Sequence, residues 1–148
     1  MANITLNIAL GRVAYYASLP ATNDALIMVP LETTGLVADS VMRDYDNLSL
    51  LLAGASNEQT TVGRKTLASV TVTVNDTDDR VDIDAADVTW TAPTGNAVGA
   101  VVICYDPDTT AGTDTDLIPL TKHDITWSPD SNNFTLTIAD FFRASSSA

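Results

Sequence analysis

The sequence predicts a mainly β domain: a β-sandwich or β-barrel with one amphipathic helix at about residues 36–53 and an extended N-terminal arm. In the second half of the chain, short apolar segments recur at a spacing of roughly 8–12 residues and are separated by turn residues. The chain has 148 residues, of which 45% are hydrophobic, so it can bury a core. We therefore expect a single β-rich domain over residues 1–148.

Residues 3–10 alternate between large apolar side chains and small or polar ones. A period of two is typical of a half-buried strand, so residues 1–10 are predicted to form an extended strand or arm. Residues 12–19 favour a helical turn, which Pro20 closes. The apolar positions of the alternating segment are Ile4, Leu6, Ile8 and Leu10.

The next apolar run, ALIMVPL at residues 25–31, contains a proline that cannot donate a ladder hydrogen bond. It predicts an edge strand or a strand end. Over residues 36–53 the apolar side chains recur at spacings of three and four, which lines them along one helix face. Gly54 is suited to end this helix, and a break near Tyr45 is left open. The predicted apolar face consists of Val37, Val41, Tyr45, Leu48 and Leu52.

The second half of the chain is predicted to form strands only. Valines alternate with threonines over residues 70–74, and the same period of two returns at 81–84 and 88–91. The run AVVICY at 100–105 is continuously apolar, which is typical of a central strand buried on both faces. The remaining segments are predicted strands at 117–120, 125–127 and 134–138 and a frayed tail at 144–148.

The charge of the chain excludes several classes of partner. Nineteen acidic residues outnumber seven basic ones, giving a formal net charge of −12. Phosphate backbones and anionic lipids both require a basic surface, so we expect no nucleic-acid and no membrane partner. No apolar run approaches the roughly 20 residues that span a bilayer, and the first residues lack the pattern of a signal peptide. Synthesis in the cytoplasm is therefore expected.

Catalytic groups do not form a recognisable set in the sequence. His123 and Asp124 are neighbours on a predicted strand, so their side chains point to opposite faces and cannot pair as base and orienting group. Cys104 lies within an apolar run and is interpreted as a small buried hydrophobe. Trp90 and Trp127 follow strand alternation and are predicted to pack in the core. We therefore expect a protein that is not an enzyme.

Aspartates are concentrated in the loop DPDTTAGTDTD at residues 106–116. Calcium is bound by carboxylate oxygens in such loops, but this one lacks the glycine and the glutamate of an EF-hand. The alternative is a solvated acidic turn. No cofactor is therefore expected, with calcium at a subunit contact as the alternative. The candidate ligands are Asp106, Asp108, Asp114 and Asp116.

Two stretches, residues 35–65 and 87–146, resemble small virion proteins encoded in the structural modules of tailed bacteriophages. The most specific elements are W-T-A-x-T-G-N-x-V-G at 90–99, Y-D-P-D-T-x-x-G-T-D at 105–114 and F-F-R-A at 141–144. These proteins are of the capsid decoration, or cement, type. The resemblance implies a protein on the outside of the phage head that binds the major capsid protein. It also implies a homo-oligomer, with a trimer favoured and a dimer second.

Two segments are candidates for the capsid or subunit contact. One is the alternating N-terminal segment with Ile4, Leu6, Ile8 and Leu10, which could add a strand to a neighbouring sheet. The other comprises Phe141, Phe142 and Arg143, because aromatic side chains and arginine are enriched at interfaces. The alternative for both segments is packing within the chain. Two other functions remain open: a neck or tail component, and a host-surface or glycan-binding module displayed on the virion.

Overall fold

The computed structural model describes residues 2–54 and 56–146. The strands are β1 (Ile4–Thr5), β2 (Ala25–Glu32), β3 (Lys65–Thr66), β4 (Thr71–Asn75), β5 (Arg80–Asp84), β6 (Val88–Trp90), β7 (Val98–Asp106), β8 (Ile118–Trp127), β9 (Phe134–Leu136) and β10 (Phe142–Ser145). The helices are α1 (Val13–Ala17), α2 (Asp39–Met42) and α3 (Leu48–Ala53). A single 3-10 turn lies at Asn7–Ala9. The mainly β class is therefore confirmed.

The strands form three antiparallel sheets. The largest has five strands in the order β1-β8-β7-β2-β3, the second has the order β10-β5-β4, and the third pairs β6 with β9. None of these sheets closes on itself, so the fold is sandwich-like and not a barrel.

The five-stranded sheet is covered on both faces. One face packs against the two smaller sheets and carries Val101 and Ile103 next to Trp90 of β6. The other face packs against the two helices α2 and α3 and carries Val102 opposite Leu48. Alternation along the strands sends successive side chains to the two cores, which is why β7 is apolar without interruption.

Strand β7 lies at the centre of this arrangement, as its continuous apolar run predicts. It pairs with β2 on one side and with β8 on the other, and every residue from Ala100 to Asp106 is buried. Cys104 has no exposed surface, which agrees with its interpretation as a small hydrophobe.

Strand β2 is not the edge strand that its proline predicted. It pairs with β7 over its whole length, and β3 covers its other side only at Ile27 and Met28. The carbonyl of Pro30 accepts a hydrogen bond from the backbone N–H of Gln59, on the side away from β7. In an antiparallel strand the N–H and C=O of one residue point the same way, so the missing donor removes no bond to β7.

Two short helices replace the single helix predicted over residues 36–53. Helix α2 ends at Met42, and α3 begins at Leu48. The side chain of Asn47 accepts a hydrogen bond of 2.9 Å from the backbone N–H of Leu50, which caps α3 and favours a new helix start. The helix is thus interrupted near Tyr45, which was one of the two possibilities left open by the sequence.

The break also changes which side chains face the core. The predicted apolar face is wrong at Val41, which is 48% exposed, whereas Met42 and Leu51 are fully buried. A spacing of three and four keeps side chains on one face only while the helix continues. Because the helix is interrupted, residues of α2 and α3 at this spacing do not share one face.

The prediction of an extended arm over residues 1–10 is wrong beyond Thr5. After β1 the chain enters the 3-10 turn, and Leu6 and Ala9 are fully buried. The backbone N–H of Leu6 donates to the carbonyl of Leu120, which fixes the segment against β8. Residues 2–10 therefore pack on the domain, because burial of these side chains outweighs the local period of two. Met1 lies outside the described residues.

Two further predictions in the second half need correction. The segments predicted as separate strands at 117–120 and 125–127 are one continuous strand, β8. The tail predicted to fray at 144–148 contributes Ala144 and Ser145 to β10, whose backbone pairs with β5. Residues 147–148 lie outside the described residues.

Candidate functional site

The structure brings together parts of the two terminal segments that the sequence indicates as contact candidates. Ile4 of β1 and Phe142 of β10 line the same shallow depression, of about 240 Å³. We call this depression the edge groove. Its lining residues are Asn3, Ile4, Thr5, Thr121, His123, Asp140, Phe141, Phe142 and Arg143.

Two sheet edges border the edge groove. Strand β1 is an outer strand of the five-stranded sheet, and β10 is an outer strand of the three-stranded sheet. Within the part of the chain that the structure describes, each pairs with one neighbour only. An outer strand presents backbone N–H and C=O groups that can pair with an additional strand. The groove is thus chemically suited to accept an extended segment.

The position of β10 is set by its pairing with β5. Phe142 lies opposite Ile83, and Arg143 lies opposite Asp82. The guanidinium Nε of Arg143 lies 3.1 Å from Asp140 Oδ2 and 3.2 Å from Asp82 Oδ1. These carboxylates hold an arginine side chain that is still 52% exposed. Asp140 itself has a positive φ of 57°, a conformation that aspartate tolerates better than most residues.

A second cavity, of about 220 Å³, lies beside the edge groove and shares His123, Asp140 and Phe141 with it. Its other walls include the apolar side chains of Met28, Val101 and Ile103. The C-terminal segment before β10 forms one wall of both hollows. A displacement of that segment would therefore change the two together.

His123 is partly buried in β8, and its side chain has partners within the chain. Its Nε2 lies 2.9 Å from Thr121 Oγ1, and its ring packs edge-on against Phe141 with centroids 6.5 Å apart. Burial and, to a smaller extent, the positive charge of Lys122 lower the pKa of His123 to about 4, while Asp124 opposes the shift. The histidine is therefore a neutral packing residue near pH 7.

A buried lysine lies on the other side of β8, and the sequence reasoning missed it. Lys122 has no exposed side-chain surface, and its Nζ lies 2.7 Å from Asp39 Oδ1 and 2.6 Å from Asp124 Oδ1. Its Nζ also donates to the carbonyl of Ala2 at 2.8 Å, and the Ala2 N–H donates to Asp39 Oδ2. The cluster fixes the chain just before β1, which forms one border of the groove.

Lys122 affects the ionisation of Asp39 in this cluster. The hydrogen bond from Lys122 is the main cause that holds the pKa of Asp39 below its ordinary value. Asp124 binds Lys122, whereas His123 hydrogen-bonds to Thr121. The adjacent histidine and aspartate are thus engaged with different partners.

The predicted contact residues are distributed over different environments. Ile4, Phe141, Phe142 and Arg143 line the edge groove. Leu6 is fully buried, Ile8 is partly buried against the core, and Leu10 is 61% exposed outside the groove lining. The N-terminal candidates therefore do not act as one surface. Local alternation could not reveal this, because the 3-10 turn redirects the side chains after Thr5.

The four calcium candidates have other partners in the structure. Asp108 Oδ1 accepts hydrogen bonds from Thr110, and Asp116 Oδ2 accepts hydrogen bonds from Thr113. Asp106 Oδ1 accepts the backbone N–H of Asp108. Among residues 2–54 and 56–146, no three histidine, cysteine or acidic side chains converge as metal ligands.

The fourth candidate, Asp114, forms an ion pair with Arg64. The Nη1 of Arg64 lies 2.6 Å from Asp114 Oδ1, and its Nη2 lies 2.6 Å from Glu58 Oε2. These two carboxylates raise the pKa of Arg64. The pair connects the loop after α3 to the loop before β8, which are far apart in sequence.

Trp90 and Trp127 occupy the core, as predicted. They are 2% and 8% exposed, and their ring centroids lie 5.4 Å apart. The indole N–H of Trp90 donates to the carbonyl of Gly63 at 3.1 Å, which satisfies the polar edge of the ring. The aromatic stack continues to Phe134, whose ring lies 4.1 Å from that of Trp127.

The described residues contain no helix with the length and apolar character needed to cross a bilayer. The structural candidates for function are the edge groove and the outer strands that border it. Comparisons with protein-family models, with curated proteins and with solved structures give no match for this chain.

Proposed function

We propose that this chain is a capsid decoration, or cement, protein of a tailed bacteriophage that binds the major capsid protein on the outside of the head. Two observations on the C-terminal segment support the proposal. The motif F-F-R-A at 141–144 contributes to the resemblance to such virion proteins, and its first three residues line the edge groove. The observation that carries the proposal is this groove between two outer strands.

The groove offers a means of adhesion that needs no catalytic group. An extended segment of a capsid subunit would pair through backbone hydrogen bonds with β1 or β10. Phe141 and Phe142 are partly exposed at the groove and would add apolar contact, at about 25 cal/mol per Å² of apolar surface buried. Many copies on one shell would multiply a modest individual contact.

The charge distribution supports this use of the groove. The chain as a whole carries a formal charge of −12, but the groove lining contains one aspartate, Asp140, and one arginine, Arg143. An acidic segment of a capsid subunit would be repelled by the remaining, negatively charged surface, but not by the groove, whose two charges balance. The high net charge elsewhere would keep the protein soluble at the copy number that a shell requires.

In this proposal the protein assembles in the host cytoplasm and ends on the capsid exterior, with no nucleic-acid or membrane contact. It acts as a homo-oligomer, with a trimer favoured and a dimer second. A neck or tail position is the rival within the same structural class. The glycan-binding alternative would use exposed aromatic rings to stack on sugars, and both tryptophans, Trp90 and Trp127, are buried.

The proposal is tested by binding of labelled protein to shells of the same phage that lack it. Deleting residues 1–9 is unsuitable, because the deletion removes the buried Leu6 and Ala9 and would damage the fold. We choose Phe141→Asp and Arg143→Glu in the groove. The matched control is Tyr15→Asp, an aromatic residue that is 60% exposed on α1 and does not line the groove.

We expect the wild type and the Tyr15→Asp variant to saturate the shells uniformly. The two groove variants should remain folded by circular dichroism and bind at least about ten-fold more weakly, a loss of about 1.4 kcal/mol. Equal binding by all four proteins would remove the groove from the contact. Label confined to the vertex or tail would favour the rival position, and no binding to any part of the particle would refute the proposal.

A further inference from the structure

Strand β4 is an open edge on the side of the three-stranded sheet opposite β10. Its sequence is Thr-Val-Thr-Val-Asn, and within the described residues it pairs only with β5. Proteins usually protect such edges with proline, lysine or bulges, and β4 contains none of these. Val74 is 68% exposed and Val72 is 36% exposed, so both valines extend past the covered core.

The register shows which way the two valines face. Val72 lies opposite the fully buried Ile83, and Val74 lies opposite Val81. Directly paired residues share a face of a sheet, so the valines continue the apolar face outward. Val72 also lines an open hollow of about 540 Å³ between β4 and the segment that follows α1. There is space beside Val72 for an additional apolar side chain.

We propose that a second copy of this chain pairs with β4, antiparallel, about a two-fold axis at Thr73. The inference rests on the proposed function and specifies one of its subunit contacts. Thr73 is the middle residue of β4, so a two-fold axis at this residue pairs all five residues of the strand with those of the other copy. It sets Val72 opposite Val74 of the other copy and Thr71 opposite Asn75. The valines of both copies lie on the apolar face and the threonines on the polar face, and the two three-stranded sheets join into one of six strands.

The sequence of β4 is nearly symmetric about Thr73, so the strand is complementary to a second copy of itself, which is therefore the occupant. β4 has no charged residue, so two chains that each carry a formal charge of −12 can pair here without placing like charges side by side. In the same register, Asp76 at the hairpin tip lies opposite Val70 of the other copy. The neighbouring segment at residues 67–70, Leu-Ala-Ser-Val, is also uncharged, so the acidic tips do not meet.

The contact is small, and it joins only two copies. Five residue pairs bury less surface than a standard stable interface, so the dimer is weak in dilute solution and forms at the high local concentration of a shell. An isologous contact of this kind gives a dimer, the second of the two expected oligomers.

Engineered cysteines test the register directly, because the native Cys104 is fully buried. In the Thr73→Cys variant, the two new thiols belong to directly opposed residues with Cα atoms about 5 Å apart, within disulfide range. In the matched Thr71→Cys variant, the corresponding residues are displaced by four positions, about 13 Å along the strands. Both variants are oxidised at the same high protein concentration, because the dimer is weak in dilute solution. We expect mild oxidation to cross-link Thr73→Cys about ten-fold faster than Thr71→Cys.

Equal or absent cross-linking of the two cysteine variants would overturn the inference. Cross-linking of Thr73→Cys to a capsid protein, and not to itself, would also overturn it. Sedimentation gives a second readout: Val74→Lys should abolish concentration-dependent association, and Val41→Lys, at another exposed valine on α2, should not. An association that survives Val74→Lys would contradict the inference.

These measurements use purified protein without shells, so they are independent of capsid binding. If the shells are decorated but Thr73→Cys does not cross-link, the inference fails and the proposed function stands. If Thr73→Cys cross-links but the protein does not bind any particle, the proposed function fails and the self-pairing stands.

Discussion

The ammonium group of Lys122 lies 2.7 Å from Asp39 Oδ1, and the lysine side chain has no exposed surface. Lys122 belongs to β8 and Asp39 to α2, so the ion pair joins the central sheet to the helical layer. Asp124 lies 2.6 Å from the same ammonium group. Because a buried charge is costly without partners, this cluster depends on all of its members.

Replacing the lysine should therefore be strongly destabilising. In Lys122→Met, the apolar stem is approximately retained, but Asp39 and Asp124 lose their shared cation. We expect the free energy of unfolding to fall by about 3–5 kcal/mol, as for other buried pairs that lose one partner. Urea unfolding followed by tryptophan fluorescence measures the change. The control Lys65→Met, in the short strand β3, should change stability by less than about 1 kcal/mol. Similar losses for the two variants would contradict this account of the cluster.

Stability should also depend on pH through His123. Burial lowers the pKa of this histidine to about 4, from an ordinary value of 6.5. Between these values the unfolded chain binds a proton that the folded chain does not, so the free energy of unfolding falls as the pH decreases from about 6.5 to 4. The shift corresponds to a loss of up to about 3 kcal/mol. Urea unfolding at pH 7 and pH 4.5 measures it.

His123→Gln provides the comparison, because the amide does not titrate. This variant should show a much smaller difference between the two pH values, and aspartates contribute little above pH 4.5. A wild type and a variant with the same pH dependence would assign the effect to other groups.

The central part of the fold could be predicted from sequence because its signals are local. The continuous apolar run of β7 reflects burial on both faces, and the alternation around Trp90 and Trp127 reflects their position in the core. The break before α3 also had a local signal, since Asn47 is a favourable N-cap residue. A prediction based only on the spacing of the apolar residues does not take this N-cap residue into account.

The contact site could be predicted only in part. Ile4 and Phe141 lie 137 positions apart, and nothing in either segment indicates that they share a groove. The burial of the Lys122 ammonium group likewise involves Asp39, a partner 83 positions away. Side chains whose environment is created by distant elements leave no periodic pattern in the sequence.

Calcium is expected to leave the thermal stability of the protein unchanged. The carboxylate of Asp108 accepts hydrogen bonds within its own turn, and that of Asp114 pairs with Arg64. A ligand present at 100 times its Kd would stabilise the fold by about 2.7 kcal/mol, which thermal unfolding readily detects. Asp114→Asn should lower stability equally with and without calcium, because it breaks an ion pair and not a metal site. A calcium-dependent loss in that variant would restore the calcium hypothesis.

Ala92→Gly should stabilise the domain. Ala92 has a positive φ of 45°, within the motif at residues 90–99, and this left-handed conformation costs a residue with a Cβ about 1–2 kcal/mol. Glycine removes that cost but makes the unfolded chain more flexible by about 0.4–1 kcal/mol, so a net gain of up to about 1 kcal/mol is expected. The backbone N–H of Ala92 still donates to Asn133 Oδ1, since the substitution leaves the backbone intact. Ala86→Gly, at an exposed position without positive φ, should instead lower the free energy of unfolding in the same urea titration. Losses of equal size in the two variants would show that the backbone at Ala92 is not strained.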